Sequence, residues 1–129
     1  MKKILLIEDN TDIRENIAEL LELEGYKVTA VANGREGLQL AKEQLPDIVL
    51  SDVIMPELTG HDVYRELKKD ELTRFIPFVF ITSSVEKKEV EAAINNGADG
   101  YIQKPFEEKE LFDAIKRCIK INCDSSSAF

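Results

Sequence analysis

Cysteine is scarce in this chain: Cys118 and Cys123 are the only two, five positions apart, with no CxxC pair and no histidine at metal-ligand spacing. That pattern suggests neither a disulfide framework nor a zinc site, and reduced thiols are expected. Long hydrophobic runs are missing too. Met1-Lys2-Lys3-Ile4-Leu5-Leu6-Ile7 opens with the basic residues of a signal peptide, but its apolar run stops after four residues at Glu8-Asp9. No other apolar stretch nears the ~20 residues that cross a bilayer. The opening is expected to be a strand and the chain cytoplasmic, with no membrane contact. Positive charge is the third shortage. Lys and Arg number 17 against 25 Asp and Glu, and a net charge of −8 repels phosphate backbones, which argues against direct nucleic-acid binding by this segment.

What remains, 129 residues with 43% hydrophobic and 33% charged content, fits one domain with a single sizeable core. Short β-rich apolar runs recur at Ile4–Ile7, Val28–Val31, Ile48–Leu50, Phe78–Ile81 and Tyr101–Ile102, each followed by a stretch of helical periodicity. In the first helix Ile13, Ile17, Leu20 and Leu21 form one stripe, and Gly25 is placed to stop it. Leu111, Ile115, Cys118 and Ile119 repeat the device in the fifth. The middle helices are less regular, with Leu38 and Ala41, Val63 and Leu67, and Val90, Ala93 and Ile94 ahead of Gly97.

Strict β-α alternation predicts an α/β, doubly wound (βα)5 three-layer sandwich, with a five-stranded parallel sheet in the flavodoxin-like order 2-1-3-4-5. The domain is expected to span residues 1–121. Residues 122–129, polar and Ser-rich, read as a C-terminal tail or the start of a linker.

Ligands of open α/β sheets bind beyond the carboxyl ends of the strands at the switch in strand order, here between strands one and three. Glu8 and Asp9 follow the first strand and Asp52 ends the third. Taken alone, Glu8-Asp9 is an ordinary solvated loop ahead of a helix starting near Thr11 or Asp12. Three carboxylates on one strand edge, however, repel one another unless a cation compensates them, and Mg²⁺ suits a site of few oxygen ligands. Lys104 follows the fifth strand at the same edge, where an ammonium can pair with a carboxylate or hold a phosphoryl oxygen. Lys104-Pro105 is a candidate cis peptide. Thr82-Ser83 brings a hydroxyl to this edge or simply caps a turn.

In order and placement, these residues resemble the motifs of response-regulator receiver domains. The resemblance is carried by Glu8-Asp9, Asp52-Val53-Ile54-Met55-Pro56 with Gly60, Thr82-Ser83, and Gly97-Ala98-Asp99-Gly100-Tyr101 leading into Lys104-Pro105-Phe106, over residues 2–121. It implies that Asp52 is the phosphoacceptor for a sensor histidine kinase, a histidine phosphotransfer protein or a small acyl phosphate. Asp9, Asp52 and the Ile54 backbone carbonyl are implied to hold Mg²⁺, with Mn²⁺ able to replace it, and Glu8 to act mainly through water. Lys104, the Thr82 hydroxyl and the Ser83 backbone N–H are implied to grip the phosphoryl oxygens. The family couples that grip to an aromatic at the position of Tyr101. The surface of the fourth helix, fifth strand and fifth helix then changes its preferred downstream protein partner. Such a domain assists its own phosphorylation and dephosphorylation and is not expected to turn over a separate small molecule.

Two departures bear on output. Gly100 stands where many DNA-binding members carry a second acid, and the long Lys69–Pro77 connection resembles single-domain chemotaxis-type regulators and receivers attached to hybrid kinases. Ile54 and Ser84 flank the approach of a hydrolytic water and are expected to set the lifetime of the phosphorylated state. Rival classes fit less well. A haloacid-dehalogenase phosphatase needs its nucleophile after the first strand with an Asp two residues later, and Glu8-Asp9-Asn10-Thr11 lacks that spacing. A flavin carrier needs a phosphate cradle in the first loop, which two adjacent acids oppose. A phosphorylation-independent module on this fold normally loses one of Glu8, Asp9, Asp52, Thr82 or Lys104, all present here.

Overall fold

All five apolar runs form strands in the computed structural model, which describes residues 2–53, 55, 57–82, 100–104 and 106–127, with side chains for all of these except Thr82 and residues 120–127. The strands are β1 (Lys3–Ile7), β2 (Lys27–Val31), β3 (Ile48–Asp52), β4 (Phe78–Thr82) and β5 (Gly100–Gln103). All pairings are parallel, in the order β2-β1-β3-β4-β5. β1 and β3 lie at the centre, which is why their apolar runs scarcely alternate: both faces of each are covered.

The described helices are α1 (Thr11–Leu23), α2 (Gly34–Gln44), α3 (Gly60–Lys69) and α4 (Glu108–Ser127). α4 is the fifth helix of the expected order. The expected fourth, around Val90, Ala93, Ile94 and Gly97, lies outside the described residues.

Local chemistry explains the helix ends. Asn10 caps α1 by accepting from the Ile13 N–H at 3.0 Å. At its other end Gly25 has φ +97° and donates to Glu22 O, while Tyr26 N–H reaches back to Leu21 O at 3.1 Å, a Schellman closure that favours glycine. α3 opens with a reciprocal capping box between Thr59 and Asp62. Gly60 is the first residue of that helix, and its N–H donates to Val53 O at 2.8 Å. The long connection to β4 is fixed by the buried Thr73, whose hydroxyl donates to Leu67 O at 2.6 Å, and by Lys68 donating to Arg74 O at 2.9 Å.

Strand alternation divides the core in two. Ile4, Leu6, Ile48, Leu50, Val79 and Ile81 face α1 and α4, where Ile17, Leu21, Leu111 and Ile115 complete one apolar cluster. Leu5, Ile7, Val49, Phe78 and Phe80 face α2 and α3 with Ala41, Val63 and Leu67. The α1 stripe is as expected, with Ile17 and Leu21 fully buried and Ile13 packed at its edge. α4 runs to Ser127, so residues 122–127, expected as a tail, continue its backbone past Ile121. Extending an established helix adds one hydrogen bond per residue fixed, which a polar composition does not prevent.

Candidate functional site

The sheet register gathers the site. Ile7 pairs with Ser51, so Glu8, the residue just past β1, lies beside Asp52, the last of β3. Asp52 in turn pairs with Ile81, and Thr82 with Gln103, which sets Thr82 and Lys104 on the same edge. One carboxylate oxygen from each of Glu8, Asp9 and Asp52 lies within 4.8 Å of the others.

The three acids differ in environment. Glu8 is 2% exposed, Asp52 9%, and Asp9 is exposed, bordering an open cleft of about 400 Å³ with Ala32, Asn33, Arg35, Glu36 and Glu57. Lys104 Nζ donates to Glu8 Oε1 and, at 3.3 Å, to Asp52 Oδ2. Burial pushes the Glu8 carboxyl up from 4.5 to about 7; Lys104 opposes the rise and Asp52 adds to it. Burial disfavours the Lys104 charge, yet the carboxylates of Glu8 and Asp52 outweigh it and raise the ammonium pKa. Lys104 bonds two of the three acids, and the carboxylates together form an all-oxygen donor set of the kind that suits a hard divalent cation.

Among the expected site residues, Glu8, Asp9, Asp52 and Lys104 are brought together as described. Tyr101 is half-buried on β5 and packs against the cluster containing Phe78 and Phe80. Thr82 ends β4 at the same edge in its backbone. Ile54, Ser83, Ser84 and Pro105 lie outside the described residues, as does the stretch 97–99.

Two further residues border the site with little mark in the sequence pattern. Arg14, in the first turn of α1, donates from Nη1 to Glu8 O at 2.9 Å and to Asp9 O at 3.4 Å. Its only signal in the sequence is its place four residues after the Asn10 cap. Gly60 is the second: a Cβ there would sit 2.3 Å from Asp52 O, so the start of α3 rests directly on the main chain of Asp52.

The family model described as the response regulator receiver domain matches residues 4–116. The chain belongs to this family. Response regulator SaeR of Staphylococcus aureus is 36% identical over 111 residues, 86% of this chain and 47% of SaeR. The receiver thus spans about half the length of the curated relatives it matches. Two solved structures extend the likeness to coordinates. The receiver domain of sensor histidine kinase PA1611 from Pseudomonas aeruginosa PAO1, with a magnesium ion coordinated in its active-site cleft, is 33% identical at TM-score 0.86, covering 92% of this chain and 98% of that one. A chemotaxis protein of Vibrio cholerae, CheY4, is 30% identical at TM-score 0.86 over 92% and 98%. The receiver is therefore a domain of two-component phosphorelay signalling, and no helix among its described residues is long and apolar enough to cross a membrane.

Proposed function

We propose that Asp52 is the phosphoacceptor and that its phosphorylation, assisted by Mg²⁺, is the signal this receiver carries. The observation that supports the reading most is the convergence of Glu8, Asp9 and Asp52 within 4.8 Å, with Lys104 bonded to two of them. Asp9, Asp52 and the Ile54 carbonyl would hold the cation directly, while Glu8, which holds Lys104, would act on it through water. When bound, Mg²⁺, or Mn²⁺ in its place, supplies positive charge against the phosphoryl oxygens.

An Asp52 carboxylate oxygen forms the bond to phosphorus as the bond to the donor breaks, in line. The leaving electron pair goes to a histidine nitrogen of a sensor kinase or phosphotransfer protein, or to the carboxylate of an acyl phosphate. Lys104, already at Asp52, moves its ammonium to a phosphoryl oxygen, and the Thr82 hydroxyl and Ser83 N–H take another. Those new bonds draw Thr82 and Lys104 inward and turn Tyr101, which alters the surface of the expected fourth helix, β5 and α4 (the expected fifth helix) for a downstream protein. The apolar Ile54 side chain cannot hydrogen-bond a hydrolytic water and Ser84 is too small to block one, which gives the phosphorylated state an intermediate to long lifetime.

Residues 1–121 are assigned as the phosphorylatable unit. The cytoplasm is its location, and a net charge of −8 favours protein over nucleic-acid partners. Incubation with acetyl phosphate, read by intact mass, tests the reading. One phosphoryl group is gained with Mg²⁺ and none in chelator; equal uptake in both would refute metal assistance.

A further inference from the structure

We propose that Arg14 is a positioning residue that sets the direction of the Asp9 carboxylate, an inference that rests on Asp9 being a cation ligand as proposed above. Asp9 is the most exposed of the three acids and has little packing of its own to hold it. Where its carboxylate points therefore depends on its backbone. The carbonyl of Glu8 belongs to the peptide plane before the Asp9 Cα, and the carbonyl of Asp9 to the plane after it. Arg14 Nη1 donates to both, at 2.9 and 3.4 Å, so one guanidinium restrains the two planes whose rotation defines φ and ψ of Asp9.

The rest of the turn is held from other directions, which leaves these two carbonyls as the part that Arg14 controls. Glu8 N–H donates to Val31 O at 3.0 Å, Asn10 N–H to Glu8 Oε2 at 3.3 Å, and Asn10 itself caps α1. The guanidinium is anchored in turn by Nη2 donating to the Thr11 hydroxyl at 3.4 Å and by its place in the first turn of α1. A planar fork suits this task; an ammonium on a flexible stem would fix the same carbonyls less firmly.

Charge and position predict opposite signs, which makes the inference testable. A guanidinium beside a cation site repels the cation, so if Arg14 acted only through its charge, Arg14→Met would tighten Mg²⁺ binding. As a positioning residue, its loss weakens binding instead, by about tenfold, the lower end for residues that orient metal ligands.

Calorimetric titration of the whole chain with Mg²⁺ alone, comparing wild type, Arg14→Met and Arg14→Gln, distinguishes the two. Arg14→Gln removes the charge but keeps an amide donor, and its affinity is expected between the other two. The rate of phosphorylation by acetyl phosphate in Arg14→Met should return to the wild-type value once Mg²⁺ is saturating. Unchanged or tighter binding in Arg14→Met overturns the inference, as does a rate deficit that saturating Mg²⁺ leaves in place. Should Arg14→Met fail to fold, the comparison of wild type with Arg14→Gln decides by the same sign. A wild type that binds no Mg²⁺ removes the proposed function itself, whereas a binding wild type matched by Arg14→Met removes this inference alone.

Discussion

Replacing Gly60 with alanine should damage both the fold and the phosphorylation site through a single contact. The added Cβ would lie 2.3 Å from Asp52 O, 3.0 Å from Val53 Cα and 3.1 Å from the Asp52 carbonyl carbon. All three are main-chain atoms, so no side chain can swing away. To regain the 3.0 Å that real Cβ atoms keep, α3 and the end of β3 must part by roughly 0.7 Å, against the 2.8 Å bond from Gly60 N–H to Val53 O.

Overpacking of this kind costs about 3 kcal/mol, and the better helix propensity of alanine returns about 1. A net loss of about 2 kcal/mol should lower the melting temperature by roughly 6–10 °C for a domain of this size. Because the displaced atoms carry Asp52, the rate of phosphoryl uptake should fall by about 10- to 100-fold, the scale expected for a misplacement near an ångström. Gly25→Ala is the control. Its φ of +97° imposes a strain of about 1 kcal/mol, yet nothing lies within 4 Å of the new Cβ and the site is remote. Thermal melts and acetyl phosphate kinetics on both variants form the assay. Wild-type melting and rate in Gly60→Ala, or an equal rate loss in Gly25→Ala, would refute the reasoning.

Three further predictions address the acids and one helix end. Glu8 titrates near 7 in the folded chain against 4.5 in the unfolded one, chiefly through burial, so between those values the folded state keeps a proton that the unfolded state has lost. That contribution is full below the unfolded value and disappears as pH rises through the folded one. The metal-free melting temperature should therefore fall between about pH 4.5 and pH 7, and Glu8→Gln should flatten the fall; a wild-type profile rising over that window would contradict the assignment. Asp9→Ala should weaken Mg²⁺ binding more than Glu8→Gln does, since it removes a direct anionic ligand; equal affinities by titration would show the ligand assignment to be wrong. Leu45 caps α2 in the left-handed region at φ 48°, and Leu45→Gly should stabilise the chain by about 1 kcal/mol with unchanged phosphorylation, measured by urea denaturation.

The convergence of Glu8, Asp9, Asp52 and Lys104 was legible because a parallel sheet aligns strand ends: once β1, β3 and β5 are recognised, the residues that follow them share an edge. The strand runs were legible for the same reason, since central strands carry near-continuous apolar sequence. Environment was not. Glu8 and Asp9 are adjacent in sequence, yet Glu8 is nearly sealed under Lys104 while Asp9 faces the cleft, a difference created by which side of β1 each leaves. Arg14 was not legible because its partners are backbone carbonyls, which carry no signature in residue type. The role of Gly60 has no mark in the sequence because its closest neighbour, the carbonyl of Asp52, approaches only when α3 docks on β3. The helical backbone of residues 122–127 was hidden by a polar composition suited equally to a tail.

Whether Asp52 receives the phosphoryl group is decided by locating that group chemically. The chain is phosphorylated with acetyl phosphate and Mg²⁺, the acyl phosphate is reduced with borohydride, and the product is mapped by peptide mass spectrometry. Reduction turns a phosphorylated aspartate into homoserine, which marks the position covalently. Homoserine is expected at position 52, with none in the Asp52→Asn variant or in chelator. Homoserine at position 9 instead, or an unmodified position 52 in a chain that has gained a phosphoryl group, would contradict it.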